Sequence, residues 1–144
     1  MQTTASTPTL RALRLADVGA IVGLAARIGG VETAADWRRR LGSGTGIVAI
    51  GAEENGRLVG YVAGDVRAAF GLPAAGWVEA FGVDNDWRGR GLGRSLASAL
   101  LARFRELGAT HVYTLLPLHD RTLAPFFRDL GFREESIACL GRTV

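Results

Sequence analysis

The chain has 144 residues, of which 48% are apolar and 22% charged, and its net charge is +3. This length and composition predict one soluble globular domain with a core of its own. They exclude a membrane protein and a membrane partner, since no apolar run approaches the roughly 20 residues of a membrane span. Residues 1–8 are polar and small, so we expect a disordered tail and a domain over residues 9–144, and the single cysteine suits a cytoplasmic location.

The cysteine, histidine and arginine content limits the kinds of ligand that we expect the chain to bind. Cys139 is a single cysteine that cannot form an internal disulfide, and it has no zinc-ligand spacing with His111 or His119. We therefore expect no metal. All basic residues are arginines, and the pI near 10 favours an anionic ligand. We expect no nucleic acid partner, because the arginines do not form one continuous run with interleaved aromatic residues.

Apolar periodicity and turn residues predict a mixed series of strands and helices along the chain. Asn55-Gly56 is a strong hairpin-turn signal between two strand-like runs. Arg38, Arg39 and Arg40 are expected on a solvated helix face. The predicted elements are strand 9–15, helix 17–28, a short helix capped by Thr33 or Asp36, strands 47–50, 58–62 and 77–83, helix 92–107, strand 111–116, helix 121–130 and a final strand around 137–142.

The segment after the predicted 77–83 strand is the part of the sequence that says most about function. It reads Arg88-Gly89-Arg90-Gly91-Leu92-Gly93-Arg94 and opens a helix. Glycines let the backbone approach a ligand, and the first N–H groups of a helix have no intrahelical partners. These donors, the helix dipole and the three arginines favour an anion, which predicts a phosphate-binding turn. The alternative is a glycine-rich connection with solvated arginines.

Two well-known nucleotide motifs do not fit this turn. A dinucleotide fingerprint needs a glycine three positions after its second glycine, where this chain has Arg94 or Leu96. A Walker A loop needs a lysine, and the chain contains none. Both nucleotide interpretations are therefore excluded.

The pattern that does fit is Arg-x-x-Gly-x-Gly, formed by Arg88, Gly91 and Gly93. It closely resembles the acyl-CoA-binding motif of the GNAT superfamily of acetyltransferases. The stretch 126–132 resembles the family's aromatic signature near the C-terminus, and the predicted elements follow the GNAT order. This resemblance covers nearly the whole chain. It implies an α+β fold whose mostly antiparallel sheet, flanked by about four helices, splays into a V between the 77–83 and 111–116 strands.

The resemblance implies that acetyl-CoA is a cosubstrate bound in the V. Its pantetheine arm would pair with Phe81, Gly82 and Val83, with Asp120 and Phe127 beside it. Helix capping alone would also explain Asp120. Many members of the family have a tyrosine in place of Phe127 to protonate the departing thiolate, and phenylalanine has no proton to give. The pyrophosphate would bind the turn, which adds Arg88, Gly89, Arg90, Gly91, Leu92, Gly93 and Arg94 as cofactor-binding residues.

The reaction implied by the resemblance is acetyl transfer to a primary amine by direct attack, without an acyl-enzyme. An alkyl amine with a pKa near 10 must lose a proton before it attacks. Glu79 is the candidate general base, because it lies beside the cofactor groove in an otherwise apolar strand. Strand alternation does not decide whether Glu79 faces solvent or the cleft until the register is known.

The acceptor is expected to be an amine on a small molecule or a peptide. Glu32 is among the carboxylates that could attract a cationic amine. Relatives often dimerise through the C-terminal region, so a homodimer is a further expectation. The alternative function is a non-catalytic, regulatory acyl-CoA-binding module, for which Phe127 is the support.

Overall fold

The structure, a computed structural model, describes residues 7–42 and 46–144. In this part of the chain, a mostly antiparallel sheet and four helices form the α+β architecture that the sequence predicted. The strands are β1 (Thr9–Ala12), β2 (Ile47–Glu54), β3 (Arg57–Arg67), β4 (Ala75–Val83) and β5 (Val112–Thr114). The helices are α1 (Val18–Arg27), α2 (Ala34–Gly42), α3 (Leu92–Glu106) and α4 (Leu123–Asp129), with short 3₁₀ turns at Leu15–Asp17 and Asn85–Trp87.

The strands form one sheet in the order β1-β2-β3-β4-β5. Neighbouring strands are antiparallel up to β4, whereas β4 and β5 are parallel. The β2–β3 hairpin turns at Asn55 and Gly56, whose φ values of +50° and +75° suit a type I′ turn. The predicted hairpin is therefore confirmed.

Each face of the sheet is covered by helices. Helices α1 and α2 cover one face, here called the α1/α2 face, and its core includes Trp37 and Tyr61. Helix α3 covers the other, the α3 face, whose core includes Leu96, Leu100 and Phe104. These three residues recur at intervals of four, which places them along one stripe of the helix.

Strands β4 and β5 diverge after a short stretch of pairing. Residues 76–78 of β4 pair with residues 112–114 of β5. Beyond that point, the described residues provide no strand partner on this side for the edge at 79–83. Helix α4 lies nearby instead, and Phe126 stacks on Phe81 with the ring centroids 4.8 Å apart. The sheet is thus splayed into the expected V.

Strand β4 carries a bulge where the two strands diverge. Ala63 of β3 pairs with Ala80, whereas the next residue, Gly64, pairs with Val78. Glu79 is therefore an extra residue, and such a residue interrupts the alternation of side chains along a strand. Its side chain contacts arginines on the α1/α2 face.

Some predicted element boundaries were wrong. Strand β1 ends at Ala12, because a 3₁₀ turn begins three residues later. The final strand predicted around 137–142 does not form: the described segment 131–144 contains no strand, since it is exposed and pairs with no neighbouring strand. The helix predicted over 92–107 ends at Glu106, and Leu107, which follows it, is half-exposed. Most of the predicted tail at 1–8 lies outside the described residues.

Candidate active site

The predicted phosphate turn lies where β4 leads into α3. Gly89 and Gly91 have φ values of +75° and +81°, a conformation that residues with side chains rarely adopt. Gly91 is the N-cap of α3, and no side chain caps this helix. The Ser95 N–H donates to the Gly91 carbonyl in the first turn of the helix. The N–H groups of residues 92–94 precede that bond, so they have no intrahelical acceptor and lie at the positive end of the helix dipole.

The third glycine of the motif allows a close approach. A Cβ atom added to Gly93 would lie 3.1 Å from the ring of Phe81 and 3.2 Å from the ring of Phe126. Both rings belong to the V, so Gly93 brings the start of α3 directly against it. The glycines of the turn therefore serve two purposes, since two supply backbone conformation and one supplies space.

Two arginines of the turn are held by neighbouring groups. The Arg90 guanidinium lies 4.7 Å from the centroid of the Trp87 ring. Arg94 donates a hydrogen bond of 3.5 Å to the carbonyl of Asp129, which is the last residue of α4. Arg94 thus links the two helices that border the V.

Asp84 organises the start of the turn. Its side chain accepts a hydrogen bond from the Asp86 N–H. The residue is buried, with 8% exposure, and its carboxylate lies 3.5 Å from Arg27 and 3.6 Å from Arg57. Sequence reasoning missed these ion pairs, because both partners are distant in the chain.

Phe127 lies inside an aromatic cluster. It is 4% exposed, and its ring centroid lies 6.1 Å from that of Phe81, 5.2 Å from that of Phe126 and 5.1 Å from that of Phe132. These contacts join α4 to β4 across the V. The ring therefore shapes the V, although it supplies no acid.

Asp120 lies two residues before Thr122, the N-cap of helix α4. Its Oδ1 atom accepts hydrogen bonds from the N–H groups of Thr122, at 2.9 Å, and Leu123, at 2.6 Å. These bonds close the turn that leads into the helix, so they account for Oδ1 and stabilise the start of the helix that carries Phe127.

Glu79 lies at the apex of the V, but on the α1/α2 face. Its carboxylate accepts a hydrogen bond of 2.5 Å from Arg67 and lies 3.7 Å from the Nε atom of Arg40. Arg67 also forms an ion pair with Asp65. Burial, together with the nearby charge of Glu79, raises the pKa of Asp65. Two carboxylates and two arginines thus form one charged cluster beside the candidate base.

Arg40 was misjudged from the sequence, which placed it on a solvated face. Its guanidinium lies 4.6 Å from the centroid of the Trp37 ring, and only 17% of its side chain is exposed. Arg67 and Asp65 gave no functional signal at all in the sequence. Only the register of β3 against β4 and the packing of α2 show that these three residues surround Glu79.

A second carboxylate of the α1/α2 face is Glu32, in the loop between α1 and α2. It accepts a hydrogen bond from the hydroxyl of Tyr61. Burial raises the pKa of Glu32, against the opposing effects of this bond and of Arg40. Burial and the nearby carboxylate also raise the pKa of Tyr61. A Cβ atom added to Gly82 would lie 2.6 Å from the Tyr61 ring, so this pair adjoins the free part of β4.

The predicted site residues therefore fall on two sides of one strand. Phe81, Gly93 and Phe127 meet around the V, and the glycine turn adjoins them. Glu79 lies on the opposite face, at the level where β4 and β5 part. Such an arrangement can separate a bound acyl donor from an incoming nucleophile until they meet at the apex.

Neither a metal-binding cluster nor a membrane-spanning helix is present in the same described residues. No group of three or more His, Cys, Asp or Glu side chains is placed there to hold a metal ion. None of the helices in this part of the chain has the length and apolar character that crossing a membrane requires. Cys139 is exposed.

Comparison with known proteins identifies the family. The model of the acetyltransferase (GNAT) family matches residues 21–132. The chain belongs to this family. A curated glucosamine 6-phosphate N-acetyltransferase from Trypanosoma brucei brucei is 36% identical over 110 residues, which cover 74% of this chain and 71% of that protein. The family model and this relative together support an acetyl-CoA-dependent N-acetyltransferase.

Solved GNAT structures share the fold over nearly the whole chain. The aminoglycoside N-acetyltransferase AAC(6')-Iy in complex with CoA superposes with a TM-score of 0.83 at 16% identity, covering 99% of both chains. The glucosamine-6-phosphate N-acetyltransferase from Arabidopsis thaliana superposes with a TM-score of 0.74 at 21% identity, covering 95% of this chain and 99% of that one. These likenesses confirm the predicted GNAT fold.

Proposed function

We propose that the protein transfers the acetyl group of acetyl-CoA to a primary amine by direct attack in a ternary complex, without an acyl-enzyme. The observation that carries this proposal is the arrangement around one strand. The edge of β4 at 79–83 has no strand partner on its β5 side among the described residues, and the same strand leads into the turn at 88–94. A ligand whose extended, amide-bearing arm is joined to a diphosphate fits both features.

The free edge of β4 suits the pantetheine arm. An unpaired strand edge presents N–H and C=O groups that can bind the amide groups of an extended ligand. Phe81, Gly82 and Val83 form that edge, and helix α4 with Phe127, preceded by the Asp120 turn, lies on the other side of the V. The diphosphate would bind the N–H groups at the start of α3, with charge from Arg88, Arg90 and Arg94. The chain's cosubstrate in this proposal is acetyl-CoA, with no metal.

Glu79 is the proposed general base. The bulge places it at the apex of the V, where the thioester carbon would meet an amine arriving from the α1/α2 face. Arg67 and Arg40 hold the carboxylate in position. The protonated amine would transfer its proton to Glu79, directly or through a water molecule, before its nitrogen attacks the thioester.

As the C–N bond forms, the C–S bond breaks, and the departing thiolate takes up, through solvent, the second proton that the amine nitrogen loses; it therefore needs no acid from Phe127. A thiol has a pKa of roughly 8.5, so its thiolate is already a tolerable leaving group near neutral pH. The aromatic cluster around Phe127 would instead exclude water from the thioester.

The acceptor is proposed to be an amine on a small molecule. The curated relative is named for glucosamine 6-phosphate, and the structural neighbours include aminoglycoside acetyltransferases. Both names describe amines carried on sugar rings. We also propose a cytoplasmic location, because the chain has a single cysteine, and a homodimer, because relatives often dimerise.

Two measurements test this function. Acetyl-CoA in excess should raise the midpoint of thermal unfolding, because it binds only the native protein, whereas a nicotinamide nucleotide should not. Thiol release from acetyl-CoA in the presence of an amine panel should then be lost in Glu79→Gln and kept in Glu106→Gln, an exposed carboxylate on α3. Absence of stabilisation by acetyl-CoA would remove the proposal. Stabilisation without turnover of any amine would favour the non-catalytic, acyl-CoA-binding module.

A further inference from the structure

A small apolar cavity lies in the V, on the α3 face of the sheet. Its volume is about 10 Å³, roughly the space that one water-sized group needs. Val78 and Phe81 line it from β4, Leu100 and Leu101 from α3, and Phe127 from α4. Every described residue that lines it is apolar, so a water molecule would find no hydrogen-bond partner there. The cavity therefore favours an apolar group of about the size of a methyl.

The course of β4 leads from the phosphate turn to this cavity. The turn follows the strand's last residue, Val83, so an arm that runs from the turn along the free edge passes residues 83 to 81 on its way to the apex. Val78 is the last residue of β4 that pairs with β5, and Phe81 lies on the free edge beyond it. Because both residues line the cavity, the cavity lies where such an arm would end.

The cavity and the candidate base lie on opposite faces of the sheet. The cavity is bounded by α3 and α4, whereas the carboxylate of Glu79 contacts arginines on the α1/α2 face. A donor in the V could therefore place its apolar acyl chain in the cavity without occupying the side from which the amine is proposed to arrive. This separation gives the cavity a role in selecting the donor and none in selecting the acceptor.

We propose that this cavity holds the methyl group of the transferred acetyl group and excludes longer acyl groups, with Val78 and Leu101 as specificity-determining residues. This inference rests on the proposed acetyl transfer. Transfer from propionyl-CoA would break the same C–S bond and form the same C–N bond, so the two donors differ only in the space that the additional carbon needs. One additional methylene in a closely fitting apolar pocket changes kcat/KM by about 10- to 200-fold.

The variants Val78→Ala and Leu101→Ala would enlarge the cavity from two different elements. Both side chains are only partly buried, so we expect each variant to fold. The wild type should prefer acetyl-CoA to propionyl-CoA by about tenfold or more in kcat/KM. In both variants this preference should fall about tenfold. The matched control is Val66→Ala, the same substitution at a partly buried valine that packs against the same core without lining the cavity, and it should keep the preference.

The assay measures thiol release with the amine that the wild type acetylates fastest among glucosamine, glucosamine 6-phosphate and sisomicin, and thermal unfolding shows that each variant is folded. Equal use of the two donors by the wild type would overturn the inference and leave acyl transfer standing. An unchanged preference in the enlarged variants would do the same, as would an equal fall in Val66→Ala, which would indicate a loosened core. Turnover of neither donor with any amine would overturn the proposed function itself.

Discussion

Arg67 of β3 donates a hydrogen bond of 2.5 Å to Glu79 of β4 at the apex of the V. The same guanidinium forms an ion pair with Asp65. One cation therefore holds two carboxylates that would otherwise repel each other, and one of them is the candidate base. This relationship makes Arg67 a positioning residue, since it acts through Glu79.

Arg67→Gln should lower kcat about tenfold and leave the KM for acetyl-CoA unchanged, because a base that is misplaced by about an ångström loses much of its effect. Steady-state kinetics with the amine and acetyl-CoA varied separately would measure both constants. The control is Arg103→Gln, which removes an arginine paired with Glu106 on the exposed side of α3. An unchanged kcat in Arg67→Gln would show that the ion pair does not position the base.

The glycine turn gives a second prediction, from Gly91→Ala and Gly108→Ala. Both glycines have positive φ, +81° and +92°, and neither has another atom within 4 Å of an added Cβ. Each alanine should therefore cost about 1 kcal/mol of unfolding free energy through backbone strain alone. Only Gly91→Ala should lower the affinity for acetyl-CoA, because Gly91 lies at the start of α3 whereas Gly108 follows the end of that helix. Calorimetric titration with acetyl-CoA separates the two effects, and equal affinity in both variants would contradict a phosphate-binding turn.

The sequence predicted those features that depend on local chemistry. The Asn55-Gly56 hairpin and the strand-turn-helix around Gly91 follow from backbone preferences that few residues satisfy, so both could be located without a structure. The face of Glu79 could not be predicted, because the bulge at that residue breaks the alternation on which the prediction would depend. The strand around 137–142 failed for a related reason, since strand-like composition does not ensure a neighbour to pair with.

The residues that surround Glu79 were missed for a different reason. Arg67 and Arg40 look like solvated arginines in the sequence, and only the register of β3 against β4 and the packing of α2 bring them to the apex. Charged clusters assembled from distant segments leave no local pattern. In contrast, Phe127 stands in an aromatic motif, and its buried place in the V follows that motif.

The Glu32–Tyr61 pair predicts how the free energy of unfolding depends on pH. Burial raises the pKa of Glu32 in the folded protein. Folding therefore favours the protonated form of Glu32. The resulting stabilisation of the folded protein is fully present below the pKa of Glu32 in the unfolded chain, about 4.3, and is lost as the pH rises through its pKa in the folded protein. Glu32→Gln keeps an oxygen for the Tyr61 hydroxyl but has no charge to bury. Its unfolding free energy relative to wild type should therefore increase between pH 4 and pH 7.

Urea unfolding of wild type and Glu32→Gln at several pH values measures this difference. Glu106→Gln is a suitable control, because Glu106 is an exposed carboxylate that pairs with an arginine, Arg103, rather than with a histidine. A difference between wild type and Glu32→Gln that stays constant from pH 4 to pH 7 would show that Glu32 is not desolvated by folding.

Asp84 gives the last prediction, which concerns the junction between β4 and the turn. Its buried carboxylate accepts from the Asp86 N–H and faces Arg27 and Arg57. Asp84→Asn keeps an oxygen for the N–H but removes the charge opposite two arginines, so we expect a loss of about 2 kcal/mol of unfolding free energy. Glu134→Gln, in an exposed pair with Arg128, should lose less than about 0.5 kcal/mol. Denaturant unfolding measures both, and equal losses would mean that the Asp84 pairs are no stronger than a surface ion pair.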